Sequence, residues 1–192
     1  MGANVKSSPK FDLHQLIHPE EFIRAAETED ELGCVLRMHL CLEQFLDKFI
    51  EEMVAPASGK SQSKNLTFSR KLKLSVSYGL ADPLAEAISL INQIRNKFAH
   101  ERGTVLSEED SQKIADLVDK VAVLPGKKEP PVRDRWIELC VTKPGEKLGF
   151  GKHGARIDFV LASSALLRCA SGWMVVEYVR RHPELMVKPG SR

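Results

Sequence analysis

The segment from about residue 156 to residue 181 carries apolar side chains around most of its helical surface. A helix of this kind must be enclosed by other helices, because it has no continuous polar face to present to water. The segment ends where His182 precedes Pro183, since the residue before a proline is disfavoured in the helical conformation. This feature predicts an all-α bundle built around a central C-terminal helix.

The rest of the chain supplies the surrounding helices. Residues 30–54 form a second long pattern, with apolar residues at helical spacing and charged residues on the other face. Residues 132–141 are predicted to be helical, with a short strand at their end as the alternative, and residues 142–155 to be a Gly- and Lys-rich loop. Shorter helices are predicted to begin at typical start signals: Pro19, Phe68 after the cap Thr67, Pro83 after the cap Asp82, and Glu108 after Ser107.

The length of 192 residues fits one domain, placed at residues 19–182 between a flexible N-terminal segment (residues 1–18) and a C-terminal tail (residues 183–192). The 28 basic and 26 acidic residues nearly cancel, so a nucleic-acid-binding surface would have to be local. The four cysteines lack C-x-x-C spacing, which favours buried free thiols over a metal site and indicates a reducing compartment. No uninterrupted apolar run approaches the roughly 18 residues of a membrane span, so we expect a cytoplasmic protein with no membrane partner.

One helix has a charge on its apolar stripe. The stripe consists of five residues at steps of four, three, four and three: Leu84, Ile88, Ile91, Arg95 and Phe98. Arg95 is its only charged member. Arginine is rarely buried without a partner. The guanidinium therefore either pairs with a carboxylate inside the bundle or lies where the stripe opens into a cleft or a subunit interface.

The residues after Arg95 add two further polar groups. Asn96 and His100 are four apart and share a face, while Arg95 and His100 are separated by about 140° and about 7.5 Å of rise. Arginine stabilises charge that grows on a phosphate, and histidine can transfer a proton near neutral pH. RNA supplies its own nucleophile, the 2′-hydroxyl, so no metal or cofactor is needed. The alternative is that His100 is a C-terminal histidine favoured by the helix dipole.

The hexapeptide "RNKFAH", from Arg95 to His100, resembles the R-x(4–6)-H signature of HEPN domains (higher eukaryote and prokaryote nucleotide-binding). The wider stretch from Phe68 to Glu101 is similar to the HEPN-related branch labelled mannitol operon repressors, in which a "KL…GL" helix precedes the "IRN-FAH" helix. The resemblance implies a compact antiparallel helical bundle that forms a homodimer with the two motifs facing each other.

Many HEPN members are metal-independent endoribonucleases of toxin–antitoxin or phage-defence systems that leave a 2′,3′-cyclic phosphate. The resemblance therefore implies that RNA is the substrate and that an antitoxin or another regulatory protein is a partner. In this chain Arg95 would hold the scissile phosphate, His100 would be the general acid or base, and Asn96 would orient the phosphate or the imidazole. Other members are not catalytic, so the alternative is a silent transcriptional regulator or interaction module, although no helix-turn-helix with a basic recognition helix is visible.

A shared site in a dimer also follows from proton counting. Cleavage by the 2′-hydroxyl needs one group to accept a proton and another to donate one, but the motif supplies a single histidine, His100. A two-fold axis through the motif would bring two copies together, and Ile88 and Ile91 would then belong to the interface. The alternative is a monomer whose apolar stripe is simply core.

Basic residues ahead of the motif helix could line an RNA groove through phosphate contacts. The sequence predicts this role for Lys64, Arg70, Lys71 and Lys73. His39, in the middle of the long helix of residues 30–54, is predicted to be a core or interface histidine without a functional role.

Overall fold

The structure is a computed structural model that describes residues 19–53, 63–123 and 129–183, the side chain of Lys64 excepted. Six α-helices are described: α1 (Pro19–Glu27), α2 (Glu31–Met53), α3 (Phe68–Ser77), α4 (Asp82–His100), α5 (Glu108–Asp119) and α6 (Ala155–Arg181). Two short strands, β1 (Trp136–Glu138) and β2 (Lys147–Gly149), lie between α5 and α6. The predicted all-α character is therefore confirmed, with one small hairpin added.

Helix α6 is the centre of the bundle, as its apolar surface predicts. It packs against α1, α2, α4 and α5, and residues such as Phe159, Leu166 and Met174 are fully enclosed. Length and composition alone would let α6 cross a membrane, because an 18-residue window has a mean hydropathy of 1.6. However, 67% of that window is buried inside the protein, so its apolar surface is already covered by the neighbouring helices.

The predicted N-cap residues of the helices differ in whether they form a capping hydrogen bond. Ser107 caps α5, because its Oγ accepts a hydrogen bond of 3.1 Å from the backbone N–H of Asp110. Thr67 occupies the cap position of α3 without a side-chain hydrogen bond. The predicted cap Asp82 is instead the first residue of α4, and Ala81 holds the cap position. Asp82 still favours this helix start because its charge meets the positive end of the helix dipole.

The helix predicted over residues 132–141 is wrong. A single 3₁₀ turn (Val132–Asp134) leads into β1, which pairs antiparallel with β2 so that Ile137 lies opposite Leu148. The physical reason is an alternation of period two: Trp136 is exposed, Ile137 half-buried, and Leu139 buried. The alternative of a short strand in this segment is confirmed, although β1 lies in the middle of the segment and not at its end. Its partner β2 lies within the segment that was predicted to be a loop.

Candidate functional site

The apolar stripe of α4 belongs to the core. Ile88 and Ile91 are completely buried within the chain, against α2 and the other helices. The expectation that they form a subunit interface is therefore wrong, because one protomer already covers them. The stripe opens only in the last two turns, where Arg95 and Phe98 are half-buried.

Arg95 lies at this opening without an acidic partner among the described residues. Its Nη1 donates a hydrogen bond of 3.2 Å to Oδ1 of Asn96, while its Nε is buried and has no hydrogen-bond partner. Of the two interpretations of the charged stripe, the described part of the chain thus supports an open site rather than a buried carboxylate pair. The guanidinium keeps donors free for an anion, and the Asn96 amide fixes its position.

His100 lies five residues further, at the exposed end of α4. It lines an open cavity of about 530 Å³ between the end of α4 and the start of α2. Two carboxylates in this cavity already serve the backbone: Asp30 accepts hydrogen bonds from the N–H groups of Leu32 and Gly33, and Glu31 accepts one from Leu106. The imidazole therefore lies beside carboxylates that already accept hydrogen bonds from the backbone.

The structure brings Arg95 and Asn96 together but does not bring Arg95 into the cavity of His100, whose lining comes from residues 30–32 and 98–104. Within one protomer the guanidinium of Arg95 thus lies outside the cavity that His100 lines. This separation follows from the five-residue spacing, which turns the two side chains about 140° apart around the helix.

A polar cluster beside Arg95 was not foreseen from the sequence. His39 of α2 is 8% exposed, and its Nε2 lies 3.1 Å from Oδ1 of Asn92, one turn before Asn96 on α4. The ring of His39 also stacks on Phe68 with a centroid distance of 4.3 Å. The expectation of a core histidine is confirmed. The missed signal was Asn92, an amide that lies one turn before Asn96 on the same helix.

Burial lowers the pKa of His39, and the nearby charge of Arg95 acts in the same direction. The hydrogen bond with Asn92 and the charge of Glu43 oppose this shift but do not cancel it. His39 is therefore a neutral imidazole near pH 7. It connects α2 to the part of α4 that bears Arg95.

Lys71 does not belong to an RNA-binding surface. Its side chain is almost fully buried, and its Nζ lies 2.9 Å from both Oε1 of Glu43 and Oδ2 of Asp47 on α2. Burial by itself would lower the pKa of Lys71, but the hydrogen bonds and charges of Asp47 and Glu43 raise it. The ammonium thus joins α3 to α2, and the predicted phosphate contact is wrong because no charge is left to offer.

Two of the predicted RNA-binding residues are placed on the surface. Arg70 and Lys73 are exposed and lie three residues apart, so they share one face of α3. The side chain of Lys64 lies outside the described part of the chain. Of the predicted RNA-binding residues, the pair Arg70 and Lys73 is therefore the part that the structure places on the surface.

The thiols are poor candidates for chemistry. Cys34 and Cys41 are buried, and burial raises the pKa of Cys34 to about 12 and that of Cys41 to about 11. Cys169 is half-buried with a pKa raised to about 11, again by burial, whereas Cys140 is exposed, contrary to the expectation of four buried thiols. In the described ranges no three His, Cys, Asp or Glu side chains gather as a metal-ligating group.

Comparison with protein-family profiles, with curated proteins and with solved structures finds no match to this chain.

Proposed function

We propose that this chain is a HEPN-like, metal-independent endoribonuclease of the toxin or defence type, acting in the cytoplasm as a homodimer. The observation that supports it is the state of Arg95. A half-buried guanidinium that meets no carboxylate in the described residues, and that an adjacent amide holds in place, is built to bind an anion. His100 lies exposed at the end of the same helix and can transfer protons to or from such a ligand.

The proposed reaction needs no group beyond the RNA and these side chains. The 2′-hydroxyl loses its proton to a base and attacks the adjacent phosphorus, the bond from phosphorus to the 5′-oxygen breaks, and an acid protonates the leaving oxygen. The products are a 2′,3′-cyclic phosphate and a 5′-hydroxyl. Arg95 stabilises the charge that develops on the non-bridging oxygens, and Asn96 keeps the guanidinium oriented.

A homodimer supplies what one protomer lacks. Arg95 does not line the cavity of His100 within one chain, so a second copy that contributes one of these groups would let a single phosphate meet both. The contact would be made by the exposed apolar residues Leu32 and Leu36 of α2, since Ile88 and Ile91 are already enclosed. Leu32 also lines the His100 cavity.

The first experiment is RNA cleavage by purified protein in excess EDTA, comparing wild type with His100→Ala. The matched control is His153→Ala, which removes another exposed histidine, in the loop before α6. We expect wild type and the control to cut and His100→Ala, still folded by circular dichroism, to be inactive. Equal cleavage by all three proteins would assign the activity to another site or to a contaminant.

The second experiment tests the shared site. His100→Ala and Arg95→Ala are each expected to be inactive, and mixing them lets heterodimers form in which one site has both groups intact. Recovery of part of the activity on mixing, with a dimer by light scattering, is the expected result. A monomer with full activity, or no recovery from a mixture shown to contain heterodimers, contradicts the shared site.

A catalytically silent regulator or interaction module is the second candidate. Leu32, Leu36 and Leu40 are 41%, 37% and 55% exposed and follow one another at steps of four, so one face of α2 presents an apolar row to solvent. Such a row suits a protein partner as well as a second copy. Absence of cleavage across structured and single-stranded RNAs would favour this candidate.

A further inference from the structure

A second open cavity lies between α1, β1 and α6. It has a volume of about 530 Å³ and is lined by α1, by the segment leading into β1, by β1 itself and by α6. This volume is within the range of roughly 300–1,000 Å³ that holds a small organic molecule. None of Arg95, Asn96 and His100 lines it.

The floor of this cavity is apolar. Phe22 and Leu161 are 7% and 2% exposed, and Ile23 and Ile137 are half-buried beside them. Trp136 stands at the rim, 53% exposed, with Nζ of Lys147 over its ring at 4.0 Å from the centroid. A large apolar surface that is left open in this way is stabilised by an apolar ligand.

Two arginines line the same cavity. On α6, Leu161, Ser164 and Arg168 follow one another at steps of three and four, so one helix face passes from the apolar floor to a positive rim. Arg135 lies beside Arg168, and Nε and Nη2 of Arg135 both donate to the carbonyl oxygen of Pro130, at 3.3 and 3.2 Å. The backbone therefore fixes the guanidinium of Arg135 and leaves its Nη1 unoccupied by these bonds.

The two guanidinium groups are not neutralised by salt bridges within the described ranges. Arg135 and Arg168 line both this cavity and a smaller adjoining one, so the two cations share one region of the surface. Burial lowers the pKa of Arg135 and the charge of Arg168 lowers it further, while Glu129 and Asp119 oppose this shift. Asp134 and Glu138 also line the cavity, but both are exposed and neither forms a salt bridge with the arginines. Asp119 and Glu129 lie near Arg135 on the side of a smaller adjoining cavity, and Asp119 accepts hydrogen bonds from the N–H of Val132.

Two cations that line one cavity and form no salt bridge among the described residues attract an anion, although Asp119 and Glu129 offset part of their charge. A carboxylate fits this position because arginine binds it through two parallel hydrogen bonds. We propose that this cavity binds a small organic acid, with its carboxylate on Arg135 and Arg168 and its apolar body against Phe22 and Leu161. This site is independent of the ribonuclease proposal.

The test uses three compounds with one apolar body: 2-naphthoate (anion), 2-naphthalenemethanol (neutral) and 2-naphthylmethylamine (cation). Isothermal titration calorimetry with the full chain measures the Kd of each. We expect 2-naphthoate to bind at least about tenfold more tightly than the neutral compound and the cation to bind most weakly, because only the carboxylate gains the arginine contacts. Equal affinities, the reverse order, or no binding of any compound would overturn the proposal.

Variants then locate the binding. Arg168→Gln removes a cation that has no salt bridge in the described ranges, so the fold is kept; we expect about a tenfold loss of affinity for 2-naphthoate and no change for the neutral compound. Trp136→Ala should weaken all three compounds. The matched control is Arg133→Gln, two residues before Arg135, because Arg133 pairs with Asp116 and does not line the cavity. An unchanged 2-naphthoate affinity in Arg168→Gln, or an equal loss in Arg133→Gln, would contradict the site.

Discussion

The substitution Lys71→Met tests whether this lysine holds the fold together or binds RNA. Lys71 is 4% exposed, and its ammonium lies 2.9 Å from carboxylate oxygens of both Glu43 and Asp47. Methionine keeps most of the apolar stem and removes only the charge. The change therefore leaves two carboxylates, one turn apart on α2, facing a site that has lost its cation.

The expected cost is about 3 kcal/mol of the free energy of unfolding. Removing one partner of a buried ion pair costs about 3–5 kcal/mol, because the other charge is left unpaired. Here the side chains of Glu43 and Asp47 are 31% and 32% exposed, so water partly solvates them after the change and the cost falls toward the lower end. Repulsion between the two carboxylates at i and i+4 adds about 0.2–0.5 kcal/mol.

Urea denaturation followed by circular dichroism measures this cost, and for a chain of this size it corresponds to a fall in Tm of about 6–12 °C. The matched control is Arg70→Met, an exposed cation one residue earlier on α3, which should change stability by less than about 0.5 kcal/mol. If Lys71→Met were as stable as wild type and instead weakened RNA binding more than Arg70→Met, the structural role of Lys71 would be refuted.

Three further predictions concern charges elsewhere in the bundle. Arg95→Met should change the free energy of unfolding by less than about 1 kcal/mol in urea denaturation. The reason is that the substitution leaves no carboxylate of the described residues unpaired. A loss of about 3 kcal/mol would reveal a buried partner. The pKa of His39 is lowered from 6.5 in the folded chain, so the unfolded chain binds more protons below that pH. Wild type should therefore lose stability as pH falls through 6.5, and His39→Gln should lose less. Equal slopes of stability against pH, measured by denaturation between pH 7.5 and pH 5, would contradict this prediction. Hydrogen bonds from Arg180 and then Arg181 lower the pKa of Glu177 from 4.5 to about 2. The contribution of Glu177 to stability is therefore present above pH 4.5 and is lost as pH falls toward 2. Glu177→Gln should flatten that part of the curve of stability against pH, and an unchanged curve would argue against these ion pairs.

The helices were predictable because their signals are local. The apolar surface of α6 and the cap of α5 at Ser107 are each visible in one continuous stretch of sequence, and both predictions are confirmed. The hairpin was missed because three-residue strands give too short an alternation to outweigh a helical pattern. The strand is stabilised by pairing of residues 136–138 with residues 147–149, which joins two segments that look unrelated in sequence.

The placement of Lys71 needed information that no local pattern contains. In sequence it stands between Arg70 and Lys73, and a cluster of three cations favours a solvated or phosphate-binding face. On α3, however, Lys71 lies toward α2, where Glu43 and Asp47 approach it from 28 and 24 residues earlier in the chain. Which member of a basic cluster faces inward is decided by the acids of the neighbouring helix.

On α4, one chain joins Arg95 to Asn96 but leaves His100 apart from them. The proposed second copy would supply the missing approach of His100 to Arg95. Spacing alone places Asn96 next to Arg95, and the structure joins them by a hydrogen bond of 3.2 Å. The same spacing rotates His100 about 140° away, into a cavity that Arg95 does not line. Under the proposed mechanism, a second helix end would supply one of the two groups to a phosphate held by the other. In the proposed homodimer, an isologous contact would bring the His100 of each chain toward the Arg95 of the other. The contact would form through two exposed residues of α2: Leu32, which lines the His100 cavity, and Leu36, one turn further along α2. Replacing Leu36 with Glu should therefore abolish the dimer and the cleavage together while leaving the folded monomer intact, and cleavage by a monomeric Leu36→Glu variant would refute the shared site.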